Sequence, residues 1–422
     1  MALNSEQEII IIGAGAAGLM AADALSRAGK KWIILEARGR IGGRIFTVHH
    51  GNSFPVELGA EFIHGRPRVT WELLKRFRVK AVPVPSSRWR LGEGGFKQDL
   101  NSWGKLSQAL SHLRVRKKDR SFAQALAEMK ISAPVKEMAE RFVSSYHASD
   151  IHKISANDLA FQQEAAGESA MEGYRLPKGY GDLLENLAAL LPSRAIQLNQ
   201  KALQIRWSRS QVEVLTQKSR FKAKRVLITV PLGVLKSPGA LVFRPALRDK
   251  EAALKKLEMG LAARISFVFS QPFWRNAPPR NLSGFFQAEE ADIPIWWTGL
   301  SPDSPVLTGW LGGPRVLSIG SRNWFMRRGL ESLSRVFGLD GKYLKSKLLK
   351  VYFHDWSLDP FSLGAYSYCG VGGMSARKDL ARPVEKTIFF AGEATDISGE
   401  ASTVAGAFYS GLRAAEEISH IQ

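Results

Sequence analysis

Cysteine is nearly absent from this chain, and its one representative, Cys369, excludes internal disulfides and zinc sites built from several thiolates. We therefore expect a reducing, cytoplasmic compartment, no metal site, and a Cys369 side chain buried as a small apolar residue. Long apolar runs are lacking too, because no segment beyond the apolar stretch that starts at residue 9 reaches the about eighteen apolar residues needed to cross a bilayer. The first eight residues, MALNSEQE, carry two acids and no Lys or Arg, unlike a secretory leader. We expect neither a leader, nor a tail anchor after the final HIQ, nor a membrane partner.

Acidic residues are also in short supply, with 39 Asp and Glu against 59 Lys and Arg and a formal net charge of +20. The imbalance is greatest in residues 66–120, which hold 15 basic and 4 acidic side chains. A field of this sign would attract anions, but the basic residues are scattered and no nucleic-acid recognition motif accompanies them. A solvated basic face is therefore the favoured interpretation, and a nucleic-acid partner is the minor alternative.

The chain is long enough for two or three lobes: it has 422 residues, 45% of them hydrophobic, without an internal repeat or low-complexity tract. Residues 9–44 read as strand, helix and strand, and residues 69–191 have apolar positions at the three- and four-residue spacing of helices. Short strands follow, with a hairpin turn at Ser208–Ser210. Residues 241–375 then mix strands and helices, and the chain ends with a strand, a glycine turn and a helix. This order predicts an α/β fold whose chain leaves its first lobe and returns to it twice.

The most informative passage is IIIIGAGAAGLMAADALSRAGKKWIILE, which carries Gly13, Gly15 and Gly18 in G-x-G-x-x-G spacing directly after an apolar strand. In such a unit the first glycine permits a tight turn, the second admits phosphate close to the backbone, and the third lets the helix pack on the strand. The helix that starts near Ala16 points its N–H groups at a diphosphate. Glu36 closes the next strand, about twenty residues on, where a carboxylate accepts hydrogen bonds from ribose hydroxyls. The passage predicts a dinucleotide-binding unit, for NAD or FAD alike.

Three further passages distinguish between these cofactors. LEARGRIGGR follows the ribose acid, VLITVPLGVLK lies in mid-chain, and FFAGEAT with STVAGAFYSGLRAA closes the chain. In this order they resemble the flavin-containing amine oxidase family, which includes monoamine oxidases, polyamine oxidases, L-amino-acid oxidases and lysine-specific histone demethylases. Within the family, ELGAEFIHG is most similar to polyamine and spermine oxidases, and DPFSLGAYSY and STVAGA resemble the polyamine oxidase and demethylase branches.

The resemblance covers nearly the whole chain and implies a fold. We expect an α/β protein in which a Rossmann-like FAD-binding domain with a mixed sheet is interleaved with a substrate domain of mixed sheet and helices. On this basis the FAD-binding domain comprises residues 1–68, 196–240 and 376–422. The substrate domain comprises residues 69–195 and 241–375, with its helical insertion at about 69–191.

The resemblance also implies where FAD lies. Arg44 supplies a guanidinium for the diphosphate, and Arg38 does the same or lies against the adenine. Ala202 meets the adenine through its backbone, and Glu393 lies near the ribityl and diphosphate groups. The residues expected at the cofactor are Gly13, Gly15, Ala17, Gly18, Glu36, Ala37, Arg38, Gly42, Gly43, Arg44, Gly59, Ala60, Glu61, Ala202, Gly392, Glu393, Thr403 and Val404.

The final helix is expected to begin at Ser402 or Thr403, either of which can cap its free N–H groups. The resemblance places this N-terminus beside the flavin, where the helix dipole stabilises the negative charge of the reduced ring. The side chains of Val404 and Phe408 are interpreted as simple packing. Because no cysteine lies within FFAGEAT, we expect FAD to be bound non-covalently.

The chemistry implied by the resemblance is hydride transfer from the carbon next to a neutral amine to flavin N5. The imine then hydrolyses to an aldehyde, and dioxygen reoxidises the flavin to give hydrogen peroxide. An apolar, aromatic pocket suits this reaction because it favours the uncharged amine. Tyr366 corresponds to an aromatic wall facing the flavin, and Thr403 stands where monoamine oxidases have the opposing aromatic wall.

Three more residues belong to the predicted catalytic end. Trp356 matches a family tryptophan near the flavin, with an ordinary core tryptophan as the alternative. His64 matches a histidine in the substrate channel of polyamine oxidases, with a purely structural histidine as the alternative. Glu61 is close enough in sequence to line the same wall and to attract a cationic substrate.

Arg264 is the main departure from the family pattern, because it stands in GLAARISFVFSQPFW where the family has a lysine linked to flavin N5 through a water. Arginine keeps the charge but is larger and stays protonated, so it cannot relay a proton as a desolvated lysine does. Three hypotheses follow: Arg264 holds the water, it binds a substrate carboxylate, or the enzyme reacts slowly with dioxygen.

The leading hypothesis for function is an FAD-dependent amine oxidase that acts with dioxygen on a polyamine or another primary or secondary amine. The first alternative is an enzyme similar to L-amino-acid oxidases, in which Arg264 or another arginine binds the carboxylate. The second is a flavoprotein that mainly binds a partner, for example nucleic acid through its basic face, and catalyses weakly. The sequence leaves the oligomeric state open.

Overall fold

The structure, a computed structural model, describes residues 7–51, 54–85, 87–92, 95–99, 102–167, 172–276, 280–287, 291–318 and 320–421. The first six residues of MALNSEQE, on which the prediction of no secretory leader partly depends, lie outside this set.

The strands lie in five sheets, and in chain order they are β1 Gln7–Ile12, β2 Trp32–Leu35, β3 Thr47–His50, β4 Phe54–Glu57, β5 Ile63–His64, β6 Val82–Pro83, β7 Arg88–Gly92, β8 Gly95–Gln98, β9 Gly173–Arg175, β10 Ile196–Gln197, β11 Ala202–Ser208, β12 Gln211–Thr216, β13 Arg220–Ile228, β14 Val242–Arg244, β15 Leu257–Met259, β16 Ala262–Phe269, β17 Phe285–Gln287, β18 Ile295–Thr298, β19 Val306–Gly312, β20 Leu348–Asp355, β21 Ser367–Cys369 and β22 Ile388–Phe390. The α-helices are α1 Ala16–Arg27, α2 Arg68–Phe77, α3 Ser102–Leu110, α4 Phe122–Glu128, α5 Ala133–Tyr146, α6 Ala156–Ala166, α7 Tyr180–Ala189, α8 Leu232–Lys236, α9 Arg248–Lys256, α10 Arg322–Phe337, α11 Gly341–Lys347, α12 Ala376–Ala381 and α13 Val404–Ser419.

The first large sheet has the strand order β10-β2-β1-β13-β12-β11-β14, with β22 also pairing with β13. Its centre is parallel, because β1 pairs in parallel with both β2 and β13. The isoleucines of β1 are buried, as a strand covered on both faces requires. The β11–β12 pair is antiparallel and turns at Arg209–Ser210, which confirms the predicted hairpin. The result is the expected mixed sheet built around a β1-α1-β2 unit.

Two hydrophobic cores cover the two faces of this sheet. On one face α1 packs against α13 and α7, and α2 packs on the same two helices. A Cβ on Gly411 of α13 would lie only 2.4 Å from the backbone oxygen of Ala17. The other face holds Cys369, which is fully buried among apolar side chains as predicted. The final helix therefore returns to the opening βαβ unit although nearly the whole chain separates them.

The second large sheet has the order β20-β16-β19-β18-β17-β7-β8. Every residue of its strand β16 is buried, because β20 and β19 flank it and α10 packs on it. Phe267, Phe286, Trp296 and Phe325 form the centre of this third core. The observed α/β architecture confirms the predicted fold class of two interleaved sheet-based lobes.

The prediction of helices throughout 69–191 was wrong for Val82–Pro83, Arg88–Gly92, Gly95–Gln98 and Gly173–Arg175, which form β6, β7, β8 and β9. Phe96 is buried against Phe286, and β7 pairs in parallel with β17, almost two hundred residues further along the chain. The remaining helices α3 to α6 share a separate small core around Phe122 and Leu126. Among the described residues, none of the helices is long and apolar enough to cross a membrane.

The interior boundaries of the two lobes differ from the simple division drawn from the sequence. Helices α2 and α7 lie within the segment assigned to the substrate domain, yet both belong to the first core, where α7 packs on α1 and α2 packs on α13. Strand β14 lies beyond the boundary at residue 240 and pairs with β11 in the first sheet. The apolar faces of these elements therefore decide which lobe they pack in, and the sequence motifs that flank them do not.

Candidate active site

A large cavity of ≈ 1700 Å³ joins the carboxyl ends of β1 and β2 to the second large sheet. This volume exceeds the about 300–1,000 Å³ of an ordinary small-molecule pocket. All the residues predicted for catalysis line it, as do all those predicted for the cofactor except Gly18. The cavity has a glycine-rich end beside β1 and an aromatic end beside Tyr366, so that it has room for a dinucleotide together with a substrate.

The glycine-rich end begins with the turn between β1 and α1. Gly13 has φ +110°, a conformation that L side chains rarely adopt. Gly18 does not line the cavity but lies beneath the turn, where a Cβ would be 2.0 Å from the backbone oxygen of Gly13. A Cβ on Gly15 would meet only the oxygen of Gly42, at 4.0 Å, so the backbone here is open to a ligand.

The backbone N–H groups at the N-terminus of α1 face this end of the cavity, and no side chain of the N-cap residue accepts a hydrogen bond from them. Its N-cap, Gly15, has no side chain, and the first turn contains no acidic residue. The dipole and free N–H groups of such a helix end favour an anionic group. Glu36, buried at the end of β2, accepts the backbone N–H groups of Ala14 and Arg38 at 2.8 Å each. Two ionised carboxylate oxygens have about four acceptor positions, so Glu36 retains capacity for ribose hydroxyls.

A second glycine turn completes this wall. The N–H of Gly42 donates to the oxygen of Ala14 at 2.8 Å, and Gly43 lies against Gly15. The next residue, Arg44, uses its Nη1 to donate to Glu393 at 2.7 Å and to the backbone oxygen of Ala365 at 2.8 Å. The two glycine turns and Arg44 thus present bare backbone and positive charge to the same region of the cavity.

Glu393 is held ionised by its neighbours. Burial alone would raise the pKa of this carboxyl, but the charges of Arg44 and Arg377 and a hydrogen bond from Ser367 outweigh burial and lower the pKa. The Ser367 hydroxyl donates to Oε2 at 2.6 Å. Glu393 thereby fixes the orientation of Arg44 at the cavity wall.

Arg38 has a different partner from the one expected. Its two Nη atoms bind both oxygens of Asp359, at 3.0 and 2.6 Å, instead of standing free for the diphosphate. His354 also contacts Asp359, at 3.0 Å. The guanidinium of Arg38 lies 5.0 Å from the centre of the Phe361 ring, and both residues line the cavity near Ala202.

Thr403 is the N-cap of α13, which confirms one of the two predicted starts of this helix. Its hydroxyl accepts the N–H of Gly406 at 3.0 Å and donates to the backbone oxygen of Glu400 at 2.7 Å. Val404 lines the cavity, whereas Phe408 is fully buried in the core between α13 and α1. The capped end of α13 therefore opens onto the cavity.

The aromatic end is organised around Tyr366 and the last turn of α5. The Tyr366 hydroxyl donates to the backbone oxygen of Tyr146 at 2.5 Å, and the Tyr146 hydroxyl lies 3.2 Å from Nδ1 of His64. His64 is exposed to the cavity, and its enclosure by the protein lowers its pKa to about 4. Burial likewise raises the pKa of Tyr146 to about 12 and that of Tyr366 further. All three side chains are therefore neutral near pH 7.

Trp356 combines the two roles considered for it. Its ring is buried, its Nε1 donates to the backbone oxygen of Leu58 at 2.9 Å, and it packs with Ala262 and Ala365 beneath the cavity. It also lines the cavity next to Tyr366. The structure thus places Trp356 as a core residue at the edge of the aromatic end.

Arg264 is committed to Glu61. It donates through Nη2 to Glu61 Oε2 and through Nη1 to the backbone oxygen of Gly59 at 2.9 Å. Nε of Arg175 lies 3.0 Å from the other oxygen of Glu61, and Trp297 donates to the same carboxylate at 3.1 Å. Glu61 thus has two cationic partners within the protein, and the prediction that its charge attracts a cationic substrate is not supported. Arg264, for its part, is already bound to Glu61 and Gly59 and is not free to bind a substrate carboxylate.

Burial alone would raise the pKa of Glu61, but the charges of Arg175 and Arg264 lower it. Arg175 and Trp297 were missed by the sequence reasoning, as was Tyr146. Each stands far from the recognised motifs in sequence and reaches the site only through strand pairing or helix packing. Arg175, for example, arrives because β9 pairs with β5, the strand that carries His64. No local sequence signal marks these residues.

Residues 16–419 match the profile of the family described as flavin containing amine oxidoreductase. The chain belongs to this family. The family's flavin and the dinucleotide-binding geometry of the glycine turns together identify the cofactor as FAD.

Individual relatives of this chain include both oxidases and demethylases. It is 26% identical to probable polyamine oxidase 5 of Arabidopsis thaliana, over 99% of this chain and 98% of that protein. It is 28% identical to lysine-specific histone demethylase 1 homolog 2 of the same plant, over 99% of this chain, but it spans only 59% of the demethylase's length.

Solved structures show the same fold. Putrescine oxidase superposes with a TM-score of 0.83 at 21% identity, covering 98% of this chain and 99% of the oxidase. Cyclohexylamine oxidase from Brevibacterium oxydans IH-35A gives a TM-score of 0.82 at 20% identity, covering 98% and 99% of the two chains. At this level of identity the comparison establishes the architecture, and the substrate has to be argued from the site.

The residues of the glycine-rich end fit the dinucleotide. The close approach of Gly15 and Gly43 leaves a cradle that side chains would fill. The uncapped N-terminus of α1 and Arg44 suit the diphosphate, and Glu36 suits the ribose. Within the described residues, no group of His, Cys, Asp and Glu side chains is arranged to hold a metal ion.

Proposed function

We propose that the protein is an FAD-dependent amine oxidase that converts a primary or secondary amine, of the diamine or polyamine class, into an aldehyde and hydrogen peroxide. The observation that carries the proposal is the shared cavity, in which the glycine turns of a dinucleotide site open into a pocket lined by Tyr366, Tyr146 and His64. FAD, held by the glycine turns, Glu36 and Arg44, would supply the hydride acceptor and the route for electrons to dioxygen.

The protein's own contribution is to bind and orient a neutral amine. Amine oxidation needs the nitrogen lone pair, and an enclosed aromatic pocket disfavours the charged ammonium form. The uncharged state of His64 avoids placing a positive group beside the reacting nitrogen. The hydrogen bond from Tyr366 to Tyr146 fixes the ring that forms the pocket wall, so that the substrate's C–H bond is held in one orientation.

The site does not favour the amino-acid alternative through Arg264. A carboxylate partner for the substrate would need an uncompensated cation, and the guanidinium of Arg264 already binds Glu61 and Gly59.

The test compares two substrates that differ only in a carboxylate. Anaerobic stopped-flow mixing with cadaverine or with L-lysine is followed at the flavin's visible absorbance, and putrescine and spermidine extend the series. We expect bleaching by cadaverine and not by L-lysine. Bleaching by L-lysine alone would replace the proposal with an amino-acid oxidase, and no bleaching by any amine would reject amine oxidation by this chain.

A further inference from the structure

Glu400 is a cavity-lining carboxyl that the reaction described above does not use. It lies three residues before the N-cap of α13, is half-buried, and forms no ion pair with any residue that the structure describes. Its neighbours on the same segment, Ser402 and Thr403, also line the cavity. The segment is anchored beside Tyr366, because the Ser402 hydroxyl donates to the backbone oxygen of Ser367.

Three other carboxylates that line the cavity have charge partners. Glu61 lies between two guanidinium groups, Glu172 binds Arg66 at 2.8 Å, and Asp99 binds Arg90 at 2.8 Å. Asp150 forms no ion pair with a described residue, but its Oδ1 accepts the backbone N–H of His152 at 2.9 Å within its own turn. Glu140 also lines the cavity without an ion pair among the described residues, but it is an exposed residue of α5. Glu400, in contrast, is half-buried on the segment that Ser402 anchors beside Tyr366.

The surroundings of Glu400 reinforce a preference for a cation. Burial and the nearby charge of Asp396 raise its pKa more than a hydrogen bond from Thr403 lowers it, and the charge of Glu400 contributes, after burial, to the raised pKa of Tyr146. Asp396 is itself satisfied by the N–H of Glu400 at 2.9 Å and by Ser398. A positive group entering beside Glu400 would meet one available carboxylate, backed by a second, next to aromatic faces that also attract cations.

We propose that Glu400 determines substrate specificity by binding a second, charged ammonium group of the amine whose uncharged nitrogen is oxidised beside Tyr366. The inference rests on the proposed function and deepens it: the substrate is a diamine or polyamine, with one nitrogen neutral in the aromatic pocket and another protonated at Glu400. A buried or half-buried carboxylate that holds such a group forms a charge-assisted hydrogen bond.

The experiment compares matched mono- and diamines of equal chain length on the FAD-loaded protein. Pentylamine and cadaverine are mixed anaerobically with wild type and with Glu400→Gln, and saturation of the reduction rate yields a Kd and a limiting rate for each amine. We expect Glu400→Gln to raise the Kd for cadaverine by about 10- to 100-fold, the usual worth of a hydrogen bond to a charged group. The Kd for pentylamine and the limiting rates should change little, because the reacting end of the substrate is untouched.

Two variants serve as controls. Asp150→Asn removes another half-buried cavity carboxylate that lacks an ion pair with a described residue, and Glu416→Gln removes an exposed charge from α13 outside the cavity. Neither should alter the preference for cadaverine. A loss of that preference in Asp150→Asn, but not in Glu400→Gln, would place the ammonium at a different carboxylate and overturn the inference.

The wild type alone provides a test if Glu400→Gln fails to fold. Its Kd should be lower for cadaverine than for pentylamine, and equal values would contradict the inference. Reduction by both amines with no difference between them would remove Glu400 from substrate selection while leaving amine oxidation intact. Failure of both amines, and of the wider series, to reduce the flavin would instead reject the proposed function on which the inference rests.

Discussion

Glu61 shows how single residues set the charge of the catalytic end. Its carboxylate is shared by Arg264 and Arg175, both of which are less than 5% exposed. Removing one partner of a buried ion pair costs far more than removing an exposed pair, because the remaining charge stays in a medium of low dielectric constant. The two ion pairs of Glu61, with Arg175 and with Arg264, therefore hold Arg264 in place. Arg264 stands at the position where the family resemblance implies a lysine.

We predict that Glu61→Gln lowers the free energy of unfolding by about 3–5 kcal/mol, because two buried guanidinium groups lose their common counter-charge. Glu172→Gln is the matched control, since it breaks an exposed pair with Arg66 that solvent screens, and it should have a much smaller effect. Denaturant unfolding of the FAD-loaded proteins measures both changes. Equal effects of the two substitutions would contradict the structural role assigned to Glu61.

His64 provides a second residue-level prediction, on pH dependence. Enclosure lowers its pKa to about 4, so the ring stays neutral between pH 6 and 9 and does not titrate there. The rate of flavin reduction by an amine should therefore show the same apparent pKa in wild type and in His64→Asn, whatever the change in its magnitude. An ionisation near neutral pH that disappears in His64→Asn would show that this histidine titrates during catalysis.

At this scale, the sequence was informative only where the functional residues are close together in the chain. Gly13, Gly15 and Glu36 could be recognised because one βαβ unit fixes their spacing. Tyr146 and Arg175 could not, since they reach the cavity from a helix end and a short strand with no motif of their own. The partner of Arg264 was also unpredictable, because pairing depends on the distance between β16 and the loop that carries Glu61.

At the scale of elements, the β1-α1 turn makes the strictest steric demand. The helix can approach the strand only because Gly18 has no side chain, as a Cβ there would lie 2.0 Å from the oxygen of Gly13. This contact is with a backbone atom, so a methyl group cannot be accommodated by a side-chain rotation. The turn that presents Gly15 to the diphosphate would have to move.

We predict that Gly18→Ala destabilises the protein by about 1–3 kcal/mol, as overpacking does, and weakens FAD binding. Gly104→Ala is the matched control, because Gly104 lies in α3 outside the cavity, and a Cβ there would meet no neighbouring group within 4 Å. Quenching of FAD fluorescence on titration of the apo proteins measures the Kd. Unchanged affinity in Gly18→Ala would contradict the geometry assigned to this turn.

Elements with strong local patterns could be predicted, and elements that depend on distant partners could not. The long apolar run of β1 and the capped start of α13 have signals within a few residues. The strands β6 to β8 were mistaken for part of a helical segment because they are short and their partners, such as β17, lie far along the chain. Short strands gain most of their stability from pairing, which single-sequence patterns do not reveal.

At the scale of the whole molecule, the cavity exists because the chain returns to its first sheet twice. Strand β13 and then β22 with α13 complete the wall begun by β1 and α1, while the second sheet supplies β16 and the aromatic side chains opposite. FAD bound between these parts would contact segments from both termini. Cofactor binding and global folding should therefore be strongly linked.

We predict that FAD is bound non-covalently and raises the melting temperature in a concentration-dependent way. Linkage yields about 2.7 kcal/mol of added stability when free FAD is at 100 times its Kd. Acid precipitation should leave a yellow supernatant over a white pellet, and thermal scans of apo protein with increasing FAD should show a progressive rise. Flavin retained on the denatured chain would contradict the prediction.

The net charge of +20 also belongs to the whole molecule. The basic residues of segment 66–120 are distributed over α2, β7, β8, α3 and the loop that follows, rather than along one helix. The interpretation as a solvated basic face stays a prediction. The folded arrangement supplies a reason for it, because several of these side chains, including Arg66 and Arg90, bind acidic residues within the protein.

The most direct test of the account is an anaerobic titration of the purified, yellow protein with putrescine, followed by admission of air. We expect full bleaching of the flavin after about one equivalent of amine, followed by reoxidation that releases one hydrogen peroxide for each aldehyde formed. A flavin that stays oxidised with putrescine, spermidine and cadaverine alike would contradict the central claim that this cavity oxidises amines.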